Sequence, residues 1–196
     1  LVEAALDWLK SQITNHKSQI QICDLGTGSG CVAAALASAN PDCFVTATES
    51  SAAAAAVAVK NLADLGLLSR VRIVHCDLFP IRSYELFDVI VSNPPYLSQG
   101  EFESLPPAIR RFEPKVALTD EKDGLTFYRR ILKTAPEYLR PGGALFLEIS
   151  PKIAGTLSAG EFLRDSRFRL VAIDKDLAGL PRVAQFELKS DSSDTE

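Results

Sequence analysis

Short apolar runs, each about the length of a strand, recur along this chain at residues 20–25, 44–48, 71–75 and 87–91. They are hydrophobic almost throughout rather than at every second position, which is the pattern of strands buried on both faces. Between them lie helical stretches: residues 31–39, closed by Asn40-Pro41, and the alanine-rich residues 52–65, closed by Gly66. The pattern then predicts a helix over 125–138, a strand over 143–149, a helix over 153–163 and strands over 168–173 and 182–188. A short connection at residues 178–181 favours antiparallel pairing of the last two strands. An amphipathic helix at residues 2–9 precedes the first strand. This alternation predicts the α/β class: a single doubly wound, mostly parallel seven-stranded sheet with helices on both faces and an antiparallel last strand. Residues 94–124, with Pro106, Pro107 and Pro114, read as one long irregular segment expected to face the substrate. The polar residues 190–196 are expected to be disordered.

Composition narrows the function. At 196 residues, 46% hydrophobic and 23% charged, the chain supports one core. Its net charge of −4 argues against a broad nucleic-acid footprint and favours a small-molecule or protein substrate. Cys23, Cys31, Cys43 and Cys76 show no CxxC spacing, and only His16 and His75 could join them as ligands. Neither a metal site nor a disulfide framework is expected, and at least three of the four cysteines read as reduced core residues in a reducing compartment. No signal peptide and no apolar run of about 18 residues is present, so the expectation is a cytoplasmic protein with no membrane partner. The chain contains no Met, so translation is expected to begin upstream of Leu1.

Candidate chemistry collects at strand ends. Asn93-Pro94-Pro95-Tyr96 follows the run at 87–91. Two prolines lack N–H groups and hold extended geometry, which leaves backbone carbonyls free to accept hydrogen bonds from outside the chain. With the Asn93 amide oxygen and the Tyr96 ring they make a planar polar socket for an NH2 group on an sp² centre, a carboxamide or an adenine amine. Asp24-Leu25-Gly26-Thr27-Gly28-Ser29-Gly30 is a strand-to-helix turn at the end of the first strand, the place where open α/β sheets bind ligands. It is neither a GxGxxG fingerprint nor a P-loop, since its third glycine falls early and no Lys follows. Glu49, after the second strand, stands where a carboxylate accepts from both ribose hydroxyls. Asp77 follows the third strand and is placed to accept from an adenine amine, while Leu78 packs on the ring. Together these strand ends predict adenosine bound across them, with Asn93 beside it. His75 has no serine or carboxylate placed to complete a relay and reads as structural. Arg110, Arg111, Arg129 and Arg130 read as surface charges, with Arg111 and Glu113 also candidates to brace the loop over the site.

These residues together resemble the class I S-adenosylmethionine-dependent methyltransferases. Within them the chain is similar to the family that methylates the side-chain amide nitrogen of a glutamine in translation release factors. The resemblance covers residues 1–189. It includes Arg111-Phe112-Glu113-Pro114, Ala117-Leu118, Asp123-Gly124-Leu125, Phe127-Tyr128-Arg129, Pro141-Gly142-Gly143, Leu147-Glu148 and Asp176-Leu177-Ala178-Gly179-Leu180-Pro181-Arg182. It implies S-adenosylmethionine as cofactor and S-adenosylhomocysteine as product, held by Gly26, Thr27, Gly28, Ser29, Gly30, Glu49, Asp77, Leu78 and Asn93. It implies a release factor as protein substrate, its Gly-Gly-Gln glutamine methylated at N5, with Asn93, Pro94, Pro95 and Tyr96 binding that amide and Asn93, Pro94 and Tyr96 catalytic. It also divides the chain into residues 1–14, the trailing helix of an N-terminal helical domain, a methyltransferase domain at 15–189, and the tail at 190–196. A monomer is expected.

Glu49 stands where the family commonly has Asp, and Leu78 where members can carry an aromatic. The extra methylene keeps the ribose within reach, whereas Leu78 gives up ring stacking. Two further readings stay open: an adenine-N6 methyltransferase acting on DNA or RNA, and a non-catalytic cofactor-binding interaction module. The acidic balance, the lack of a basic or aromatic groove and the segment 111–125 discriminate against the first. The intact tetrapeptide argues against the second.

Overall fold

The computed structural model describes residues 1–12, 19–80, 86–160, 162–164 and 166–189. The expectations for residues 13–14, for His16 and for the tail at 190–196 lie outside the described residues. Seven strands form one sheet: β1 (Ile20–Leu25), β2 (Cys43–Glu49), β3 (Val71–His75), β4 (Phe87–Ser92), β5 (Leu139–Glu148), β6 (Phe168–Lys175) and β7 (Pro181–Leu188). Their order is β3-β2-β1-β4-β5-β7-β6. The first five pair in parallel, and β7 lies antiparallel between β5 and β6, as the short connection predicts. The helices are α1 (Val2–Gln12), α2 (Cys31–Ala39), α3 (Ala52–Asp64), α4 (Gln99–Glu103), α5 (Pro107–Phe112), α6 (Thr126–Thr134) and α7 (Pro151–Ser158).

Because strand side chains alternate between faces, the apolar runs feed two cores. Ile22, Val45, Val89 and Phe146 pack with Ala5 and Leu9 of α1 and Leu36 of α2. Leu25, Ile90, Leu145 and Phe186 pack with Tyr128 and Ile131 of α6 and Leu157 of α7. Trp8 of α1 meets Phe146 edge to face at 6.4 Å, a geometry that adds about 0.5–1.5 kcal/mol to the area buried. Among the described residues no helix is long and apolar enough to cross a membrane.

Several boundaries differ from the sequence reading, each for a local reason. The helix expected over 125–138 stops at Thr134 and tightens into a 3-10 turn, Ala135–Glu137, where Pro136 has no N–H to donate. The strand expected from 143 begins at Leu139, running through Pro141 and Gly142 opposite an irregular register between Phe87 and Val89. The helix expected over 153–163 starts two residues earlier, because Ser150 caps it and Pro151 occupies its first turn, and it ends at Ser158. Residues 94–124 are not one irregular loop: they hold α4, α5 and a 3-10 turn, Lys115–Ala117. Ser98 and Glu101 form a reciprocal capping box that starts α4, and Pro107 opens α5.

Strand order reverses at β1, with β2 and β3 added on one side and β4 and β5 on the other. A crevice opens there at the carboxyl ends of the strands, where open α/β sheets take ligands. Register pairs Leu25 with Thr48 on one flank and with Ser92 on the other, and Ser92 with Leu147. Glu49, Gly26, Asn93 and Glu148 therefore leave four neighbouring strands in a row.

Candidate active site

The turn after β1 is built around a buried carboxylate, Asp24, which the sequence places at the start of the cofactor loop. Asp24 is only 1% exposed, and its Oδ2 accepts from the Thr27 hydroxyl at 2.6 Å and the Ala33 N–H at 3.1 Å. One side chain thus ties the strand, the turn and the first turn of α2 together. Burial pushes the Asp24 carboxyl up to about 6, opposed by the bonds from Thr27 and Ala33 and helped by the charge on Glu49. The stability linked to this proton is full below the ordinary carboxylate range and is lost as the pH rises through about 6. Thr27, expected at the ligand, turns its hydroxyl to Asp24 and its N–H to the Thr48 carbonyl at 2.9 Å. Gly26, Gly28 and Gly30 all have positive φ. At Gly28 a side chain would also project into open space, so its absence leaves that face of the turn bare for a ligand.

Glu49 is the last residue of β2 rather than the first beyond it. Its Oε2 accepts from the Gly28 N–H at 2.9 Å and its Oε1 from the Ser51 N–H at 2.8 Å. The carboxylate pins the glycine turn to the start of α3; Oε1 also accepts from the Ser50 hydroxyl at 3.5 Å, and Oε2 keeps a second lone pair for an external donor. At the end of β3, Asp77 Oδ2 holds Arg130 of α6 at 2.7 Å, an exposed pair of the kind worth at most about 1 kcal/mol. Arg130, read as a plain surface charge, therefore competes for the oxygen expected to meet an adenine amine. Leu78 has φ +63, and it is 9% exposed and joins the core with Tyr128 and Ile131 of α6. Its carbonyl accepts from the Thr48 hydroxyl at 2.6 Å.

Asn93 leaves β4 next to Gly26, and the Ser92 hydroxyl fastens the two strand ends by donating to the Leu25 carbonyl at 2.8 Å. Asn93 is exposed, while Pro94 is buried and Pro95 and Tyr96 are half-buried. Among the described residues neither the Asn93 side chain nor the Pro94 carbonyl has a hydrogen-bond partner. The row continues at Glu148, whose carbonyl accepts from the hydroxyl of the buried Tyr128 at 2.7 Å. A cleft of about 740 Å³ opens from Glu148 between α1 and β7, with Trp8, Arg182 and Gln185 in its walls.

His75 bonds the Ser50 carbonyl at 2.9 Å through Nε2 and takes no part in this row. Arg111 and Glu113 are exposed, with the Arg111 guanidinium lying over the Phe112 ring. Among the described residues no group of three His, Cys, Asp or Glu side chains is arranged to hold a metal.

A doubly wound sheet of this strand order carries a bare glycine turn, a carboxylate on the next strand and an open amide at its switch point, the place where such sheets take ligands. A solved methyltransferase from Pyrococcus furiosus shares the fold, with a TM-score of 0.64 at 22% identity over 94% of this chain and 81% of that one. Residues 3–108 match the methyltransferase small domain, and the chain belongs to that family. It is similar to the release factor glutamine methyltransferases of Rhodopirellula baltica, 38% identical over 95% of this chain, and of Bordetella pertussis, 42% identical over 94%. It spans 63% and 65% of those relatives' lengths.

Proposed function

We propose that this chain transfers a methyl group from S-adenosylmethionine to the side-chain amide nitrogen of the glutamine in the Gly-Gly-Gln motif of a peptide chain release factor. The observation that carries this reading is the open pair of acceptors, the Asn93 amide oxygen and the Pro94 carbonyl, standing beside the bare glycine turn. The similarity to release factor glutamine methyltransferases supports the choice of substrate, and translation termination puts the reaction in the cytoplasm, with the enzyme a monomer.

The residues present fit the cofactor: two carboxylates, Asp24 and Glu49, suit a ligand with a cationic end and a ribose diol. When bound, S-adenosylmethionine supplies an electrophilic methyl group on a sulfonium that leaves as a neutral thioether. Glu49 would accept from the ribose hydroxyls, the glycine turn would admit the ligand, and Asp24 would lend negative charge to the site. The difficulty lies in the substrate, since an amide nitrogen delocalises its lone pair into the carbonyl. Asn93 Oδ1 and the Pro94 carbonyl accept its two N–H bonds. They aim the lone pair and stabilise the positive charge that grows on nitrogen as the new C–N bond forms. Tyr96 packs on the amide plane. The proton shed by nitrogen passes to water.

Incubation with labelled cofactor and, separately, a Gly-Gly-Gln peptide, an intact release factor or an adenine-containing oligonucleotide tests the reading. Label on the glutamine of the release factor is expected. Label on the oligonucleotide alone would make the chain an adenine methyltransferase, and cofactor binding without transfer to any of them would make it a binding module.

The Asp24 carboxyl adds a pH signature. A cationic ligand favours the ionised form, so affinity is full above about pH 6 and declines as the pH falls through it. Calorimetry should find S-adenosylmethionine bound up to about tenfold more weakly at pH 5 than at pH 7. Asp24→Asn should flatten that profile, and a profile the substitution leaves unchanged would assign the dependence to another group.

A further inference from the structure

The tetrapeptide loop leaves the sheet with its acceptors unpartnered among the described residues, so something else must hold it at the right height. Its carbonyl side rests on Gly124. A Cβ built there would collide with the Tyr96 carbonyl oxygen and lie 3.1 Å from the Ser98 nitrogen, and Gly124 has φ +81. The turn that presents Gly124 is organised by one side chain. Asp120 Oδ1 accepts from the Lys122 and Gly124 N–H groups, both at 2.9 Å, and Oδ2 from the Thr126 N–H at 3.0 Å. Burial alone would raise the Asp120 carboxyl, but the bonds from Thr126, Lys122 and Gly124 prevail and hold it at about 2.

The same turn is stitched to the chain leaving the loop. Leu97 N–H donates to the Leu118 carbonyl and Gln99 N–H to the Lys122 carbonyl, each at 3.0 Å, and Leu97 bridges Thr119. At its far end the turn runs into α6, which is bolted to the sheet by the Tyr128 hydroxyl on the Glu148 carbonyl. The continuous path from β5 through α6 and the 120–124 turn to the back of Tyr96 is a brace anchored to the strand next to Asn93.

We infer that Asp120 and Gly124 are positioning residues: they act through the Tyr96 peptide to fix the Asn93 and Pro94 acceptors against the substrate amide. This rests on the amide-methylation reading given above. Since a misplacement of about 1 Å can cost a reaction on the order of 100-fold, loss of the brace should appear in turnover and not in cofactor binding.

The test compares Asp120→Ala, Asp120→Asn and Gly124→Ala in the full chain, using release factor as substrate. For the Ala variants kcat is expected to fall on the order of 100-fold, with the Kd for S-adenosylmethionine within about twofold. The amides of Leu97 and Gln99 should exchange faster with solvent while those of β1 and β4 do not. Asp120→Asn keeps an amide oxygen for the Lys122 and Gly124 donors, so it should fold and recover most of the turnover. Wild-type kcat in both Ala variants, an equal loss of kcat and cofactor affinity, or no recovery in Asp120→Asn would each overturn the inference. If the wild-type chain methylates no release factor, the functional reading fails first. Exchange at Leu97 and Gln99 then decides the brace alone, and an unchanged rate in Asp120→Ala would overturn it.

Discussion

Asn93→Ala is expected to lower methyl transfer by on the order of 10²- to 10³-fold, the usual cost of deleting one preorganised polar group at a developing charge, while cofactor affinity stays within a few fold. The separation follows from the site. The Asn93 side chain has no hydrogen-bond partner among the described residues and Asn93 is exposed, so its removal breaks no hydrogen bond described within the fold. The glycine turn owes its shape to Asp24, Glu49 and Thr48, none of which touches Asn93 through a hydrogen bond. Single-turnover kinetics on the release factor, paired with calorimetry on S-adenosylmethionine, measure the two effects. Parallel loss of binding and turnover would mean that Asn93 holds the fold rather than the substrate.

Glu49→Ala should do the reverse and weaken S-adenosylmethionine roughly 100-fold, with less effect on turnover at saturation. Two contributions combine. Hydrogen bonds to an ionised carboxylate are worth about 1.5–3 kcal/mol each, and about 2.7 kcal/mol is already 100-fold in affinity. The substitution also leaves the Gly28 and Ser51 N–H groups without their acceptor, so the turn that admits the ligand loses its fastening to α3. Glu49→Gln keeps one acceptor oxygen and should fall between. Unchanged affinity by calorimetry would remove Glu49 from the site.

Much of this arrangement was legible in the chain because its informative residues sit at ends of strands buried on both faces. Runs such as 20–25 and 87–91 admit few alternatives, and once they are parallel neighbours the residues just beyond them must converge. Glu49 and Asn93 could be found that way. Asp24 could be placed in the cofactor loop, but its burial and its hold on the turn could not, because they exist only once Thr27 and Ala33 close on it. Arg130 was equally opaque, since its meeting with Asp77 joins α6 to the end of β3 and depends on how the crossover packs. The helices inside 94–124 had local signatures, the Ser98 and Glu101 capping box and Pro107 at a first turn, which the density of prolines outweighed. What Gly124 does follows only from the approach of Tyr96, a contact between distant residues that no periodicity records.

The placement of β7 between β5 and β6 bears on how the polypeptide is made. Until residues 181–188 emerge from the ribosome, one whole edge of β5 has no partner, although the row of strand ends from Glu49 to Glu148 has already been synthesised. A nascent chain in that state carries an uncovered, strongly apolar ladder, the kind of surface that recruits other nascent strands. Completion of the last hairpin therefore acts as the closing stitch, and mutations that slow it should be read out first as insolubility during expression.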